Sequence, residues 1–267
     1  MKYTPGSYAG DPEDWAPCSS AVEDLEQLFR FVERIRTRLV EFSGTLEVNG
    51  QQSAEDKQRA LALILVARLS EVIEGFLVVA RLGMSMNSKS IFRDLLDAYF
   101  VFACNAQNLD FCRRYFLSDH RARLKLMNVA ARSNSSLFDA VKAYVRTARQ
   151  ALKQAVSASN AEEFKSYKNA KESGCEDLYN SLYRVCSAPV HSTPRSLEEY
   201  LKTDSEGFVL EISSVARRGD IELLSYTVCT LLINCLAGLN DMFEAELDVE
   251  IQETKTELEE VMSKLRA

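Results

Sequence analysis

Between Pro17 and Pro189 the chain contains no proline, and all 267 residues hold only 10 glycines and 5 prolines. These two residues are the strongest interrupters of a helix. So long a run without proline, and with glycine so sparse, points to helices packed on helices. The apolar residues agree: Val22, Leu25, Phe29, Val32, Ile35, Leu39 and Phe42 recur every three or four positions, which places them on one helical face. No alternation of apolar and polar residues lasts long enough for a sheet. The predicted fold is an all-α bundle of about eight helices with a long C-terminal helix. With 46% hydrophobic residues it can bury a sizeable core.

Residues 1–18, with Pro5, Gly6, Gly10, Pro12 and Pro17, read as an extended N-terminal arm. A single helical domain is expected over 19–246, and a helical extension over 247–267. Ser20 with Glu23 caps the first helix and Gly44 closes it; Ser53 and Asp56 open a second that stops at Gly83. Later starts are expected near Asn87 or Ser88, Leu109, Ser133 or Asn134, Asn160, Cys175 and Asp220. The stretch 204–220 reads as irregular or briefly extended. Leu223 to Asn240 carries no charge, and eighteen residues is the lower edge of a membrane span. Ser225, Thr227, Thr230 and Asn234 interrupt it, Glu222 and Asp241 abut it, and no basic cluster flanks it. The expectation is a buried core helix and no membrane. Beyond Leu247 the apolar positions thin to a narrow seam in an acidic background. Two readings stand there: a projecting helix that contacts a protein partner, or a frayed tail.

A net charge of −7 argues against a generic duplex-DNA binder. The charge is unevenly spread. Residues 113–171 hold thirteen bases and four acids, a local balance of +9, whereas 241–267 hold three bases and nine acids, a balance of −6. Lys142, Arg146, Arg149 and Lys153 form a basic stripe that can steer RNA, or can simply be a solvated helix face. The seven cysteines are scattered and no CxxC pair occurs. They read as buried, reduced thiols in a cytoplasmic protein. The N-terminus lacks the apolar core of a signal peptide. With only two histidines and no phosphate loop, GxSxG or HExxH, neither metal nor cofactor is expected.

One stretch carries chemistry: Tyr183–Arg184–Val185–Cys186–Ser187–Ala188–Pro189–Val190–His191. Proline 189 has no N–H, and its ring collides with the carbonyl of Val185 in a continuing helix. The helix is therefore expected to end near Ser187, with Arg184 on its last turn and His191 just past the break. Histidine can move protons near neutrality, and arginine can hold a phosphate by two parallel hydrogen bonds. His191 is then the candidate acid/base, Arg184 the phosphate clamp and Ser187 an orienting hydroxyl. A purely structural reading also stands, with Arg184 paired to Asp177, Asp97 or Glu176. Arg93 and Asp97, four residues apart, can pair on one helix face. His120, beside Asp119, reads as an exposed helical residue.

The arginine followed by a histidine in a helical chain resembles the HEPN superfamily (higher eukaryotes and prokaryotes nucleotide-binding). Many of its members are metal-independent ribonucleases of toxin–antitoxin and antiviral systems, and act at a dimer interface. "IFRDLLDAYF" and "LYRVCSAPVHST" also resemble an uncharacterised bacterial helical family with a Tyr-x-x-x-Ser-x-x-x-His turn. The resemblance implies a homodimer acting on RNA through His191, Arg184 and Ser187. Arg93, Asp97, Tyr183, Arg146 and Arg149 are then the candidate substrate-binding residues. A non-catalytic helical interaction module, using the acidic C-terminal helix, is the alternative from the residues alone.

Overall fold

The structure is a computed structural model, and it describes residues 2–3, 19–48, 50, 53–159, 163–212 and 216–267. Among these residues eleven helices follow one another. They are α1 (Glu26–Thr45), α2 (Ala54–Arg81), α3 (Ser85–Gln107), α4 (Phe111–Arg132), α5 (Asp139–Ser159), α6 (Ser166–Glu172), α7 (Glu176–Leu178), α8 (Arg184–Val190), α9 (Pro194–Leu197), α10 (Arg218–Phe243) and α11 (Asp248–Arg266). The chain is an all-α bundle, as its spacing of apolar residues implied. Ser53 caps α2 by accepting the Asp56 N–H at 2.9 Å, and Gly83, at φ 69°, supplies the left-handed turn after it.

Helix α3 is the axis of the molecule. It packs against α2, α6, α8 and α10, and buries Phe92, Leu95, Leu96, Phe100 and Phe102. The uncharged run of the sequence forms α10, whose Ile221, Val228, Cys229, Leu232, Cys235 and Leu239 lie in the core against α1, α2 and α3. By length and composition α10 passes as a membrane span, yet most of its apolar window is buried inside the bundle. Gly238 permits this fit: a Cβ there would stand 3.0 Å from the ring of Phe102. Five of the six described cysteines are buried, and all six are free. Burial pushes the thiols of Cys104 and Cys186 up to about 12, so they pack as inert apolar groups. Cys18 and residues 4–18 of the expected arm lie outside the described residues.

Three local expectations are corrected. First, the helix does not stop at Ser187. A π-turn over Tyr179–Tyr183, in which the Arg184 N–H reaches back to the Tyr179 carbonyl, feeds directly into α8, and Pro189 sits inside it. Only the bond to Val185 is forfeited, on the exposed side of the helix, while Tyr183 and Cys186 are buried on the other side. The reversal comes at Ser192, in left-handed geometry at φ 45°. Second, the C-terminal helix is not continuous. Glu244 and Glu246 take left-handed conformations, and the Asn240 side chain accepts the Leu247 N–H at 2.7 Å. The chain therefore doubles back, and α11 lays Ile251, Leu258 and Met262 on the bundle. Arg34–Glu257 and Arg38–Glu250 ion pairs hold it to α1. The apolar seam is consumed internally, so α11 neither projects nor frays; only its acidic outer face remains. Third, a small sheet exists: β1 (Lys2–Tyr3) pairs parallel to β3 (Val209–Ile212), which pairs antiparallel to β2 (Leu201–Thr203). Its strands are too short to show an alternating pattern in the sequence.

Lys89 of α3 is buried and lies 2.9 Å from Glu199 and 2.8 Å from Asp220, so it ties α3 to the turn after α9 and to the first turn of α10. Burial alone would lower its pKa, but the hydrogen bonds and charges of Asp220 and Glu199 outweigh that and raise it. The stabilisation is therefore complete below the ordinary lysine range and fades as pH rises through the folded pKa above it. Lys89→Ala is expected to cost about 3–4 kcal/mol, the lower part of the range for breaking a buried pair because Asp220 is partly solvated. Urea midpoints at neutral pH check this; an unchanged midpoint would show that the cluster is not a tie.

Candidate functional site

The paired residues predicted on α3 meet the π-turn in a closed ring of hydrogen bonds. Arg93 Nη2 donates to the Tyr183 hydroxyl at 2.9 Å. Tyr183 donates to Ser166 Oγ at 3.2 Å, and Ser166 donates to the Asp97 carboxylate. Asp97 closes the ring at 3.1 Å from Arg93 Nη2. The guanidinium also lies over the Tyr183 ring, 5.3 Å from its centroid, and a second amine reaches Asp94 at 3.0 Å. Tyr179 stacks on Tyr183 at 4.6 Å, with Phe100 beside both. Burial, with the Asp97 charge, raises the Tyr183 pKa, so the phenol stays protonated and able to donate. Arg93, Asp97 and Tyr183 thus come together, and of the guanidinium only the buried Nε is left without a hydrogen-bond partner. The ring positions α8 against α3.

Beyond the ring, α8 turns Arg184, Val185 and His191 to solvent. Among the described residues neither Arg184 nor His191 makes a side-chain hydrogen bond or an ion pair; the expected pairing of Arg184 with Asp177, Asp97 or Glu176 is not made. The seven-residue step places both groups on one helical face, about two turns or ~10 Å apart along the axis. Ser187 donates its hydroxyl to the Tyr183 carbonyl at 2.8 Å, a bond internal to its own helix.

The basic middle of the chain forms an antiparallel hairpin of α4 and α5. Lys142, Arg149 and Lys153 line a cleft of about 220 Å³ between the two helices, with the buried Val145 beneath them. Arg149 donates to Asn128 at 2.7 Å and Lys142 pairs with Asp139 at 2.7 Å. The side chain of Arg146 lies outside the described residues. His120 is half-buried rather than exposed, and its Nδ1 is sealed from solvent. No group of three or more histidine, cysteine or acidic residues suited to a metal occurs among the described residues.

Sequence reasoning missed two contributors. Ser166 closes the ring from a loop edge with no local pattern around it, and Lys89 reads as one more helical lysine until α9 and α10 bring it two carboxylates. Tyr183→Phe deletes the bridging hydroxyl and leaves Arg93 and Ser166 short of a partner. A loss of about 1–3 kcal/mol in chemical denaturation is expected, against less than about 0.5 kcal/mol for Arg184→Ala on the exposed face. Equal losses would show that the ring does not hold α8.

Comparison with curated proteins and with solved structures found no match. A family model does match, over residues 59–208, a span that runs from α2 to the small sheet and takes in Arg93, Asp97, Tyr183, Ser187 and His191. That is more than half of the chain, which therefore belongs to the family described as a family of unknown function, DUF5677.

Proposed function

We propose that this chain is a HEPN-like protein that acts on RNA as a homodimer, with Arg184 of one copy and His191 of the other forming each metal-independent cleavage site. One observation carries the reading: among the described residues both groups are exposed and unpaired, on one face of a short helix and about two turns apart. Two α8 helices packed antiparallel about a two-fold axis near Ser187 and Ala188 set Arg184 against His191 twice.

The chemistry needs no metal. His191 takes the proton of a ribose 2′-hydroxyl, the 2′-oxygen attacks the adjacent phosphorus, and the bond to the 5′-oxygen breaks. The imidazolium returns its proton to the departing 5′-oxygen, leaving a 2′,3′-cyclic phosphate and a 5′-hydroxyl. Arg184 holds the non-bridging oxygens and offsets their growing charge. Free thiols suit a reducing compartment such as the cytoplasm.

The alternative, a non-catalytic interaction module, has its own support in the hairpin. Leu126, Leu137 and Tyr144 there are 70%, 86% and 66% exposed, more apolar surface than an isolated arm needs.

Mixed RNA incubated with chelator separates the two readings. Wild-type protein is expected to cut it, and Arg184→Ala and His191→Ala each to lose about 100-fold or more. Mixing the two variants should restore roughly a quarter of wild-type activity, because half the dimers then carry one intact composite site. No cleavage by wild type removes the enzyme; no recovery on mixing removes the shared site.

A further inference from the structure

A second groove on α4 has a lining that the proposed cleavage site does not use. It encloses about 700 Å³ between α4 and the segment that leads into α6. Tyr115, Phe116 and Phe164 form its aromatic side, and Arg121, Arg123 and Lys125 its basic side. The aromatic side is built rather than accidental. Tyr115 meets Phe164 edge-on at 5.0 Å, and Phe164 meets the fully buried Phe111 at 5.3 Å. Phe116 stands beside Tyr115 at 5.9 Å with 54% of its surface exposed, a free ring on a fixed base.

The basic side is available to an anion. Arg121 makes no ion pair among the described residues. Arg123 pairs with Asp119, and Lys125 with Glu163, but all four side chains are between 45% and 65% exposed. Such exposed pairs contribute about 0–1 kcal/mol, so a phosphate chain can displace the carboxylates. Its α4 side and Phe164 belong to the stretch 113–171, whose sequence carries the +9 balance.

We propose that this groove binds a segment of single-stranded RNA, with an unstacked base on Phe116 and successive phosphates along Arg121, Arg123 and Lys125. The proposal rests on the RNA reading above for its ligand but not on cleavage. Exposed aromatics beside cations match the two needs of a single strand, base stacking and backbone neutralisation. A duplex buries its base faces and offers Phe116 nothing to stack on. An acidic protein helix would satisfy the cations but makes no use of a flat ring held beside them. The groove also communicates with α8: Phe164 lies two residues before Ser166, whose hydroxyl bonds Tyr183 next to Arg184.

The test measures anisotropy of a fluorescein-labelled 2′-O-methyl RNA of about 12 nucleotides, which resists cleavage, with the full chain. The single strand is expected to bind at least tenfold more tightly than its duplex. Phe116→Ala and Arg121→Glu, both surface changes, should each weaken the single strand about tenfold, with Arg121→Glu also lowering the salt dependence. Unchanged affinity in both variants, equal affinity for duplex, no binding, or ready displacement by a poly-glutamate peptide would overturn the groove. Outcomes for the two proposals separate cleanly. Cleavage with unaltered binding in the groove variants removes the groove alone; groove-dependent binding by a wild-type protein that cuts no RNA removes the ribonuclease alone.

Discussion

The position of α8 depends on a half-buried arginine that must find its partners inside the fold. Arg93 sits on the central helix, and removing its charge from water is tolerable only because Asp97, Asp94 and the Tyr183 hydroxyl receive it. Meeting those requirements draws in the edge of α6 through Ser166 and the π-turn through Tyr183. The turn is then not free to relax into ordinary helix, and α8 leaves it at a set rotation. Cys186 and Tyr183 face the core, so Arg184 and His191 face out. An internal ring of polar groups thereby decides which side chains a partner or a substrate can meet.

Much of the bundle could be read directly from the residues. The 3–4 spacing in α1 and the uncharged run of α10 are physical requirements of burial, and both appear where they were expected. The Arg93–Asp97 pair was visible because a helix alone brings those groups together. What the sequence hid was produced by tertiary structure. Pro189 carries a strong local preference to end a helix, about 3 kcal/mol, yet burial of Tyr183 and Cys186 beside it prevails. The π-turn shifts the helical register within a few residues, too briefly to alter a periodic pattern. The break after Phe243 contains neither glycine nor proline; an asparagine side chain makes it. Phe164 belongs to a loop, so its place in an aromatic groove could not be seen before the chain was folded.

The charge asymmetry has a structural counterpart. Acidic α11 closes on the bundle through arginines of α1, which neutralise its inner edge. The basic middle, by contrast, forms a hairpin whose distal half rests mainly on itself, with Val145 its buried contact on α5. Positive charge is thus kept on the less embedded part of the molecule, next to exposed apolar and aromatic side chains. Such an arrangement costs little stability in the core.

The central claim is that the outward face of α8 is a seam between two copies. Ala188 lies on that face, beside the axis that would pair Arg184 with His191. The most direct measurement is oxidative cross-linking of the Ala188→Cys variant, resolved by non-reducing electrophoresis and peptide mass mapping. Rapid formation of a disulfide-linked dimer joined through position 188 in both copies is the predicted result. A protein that stays monomeric under oxidation, or links only through other positions, would contradict it.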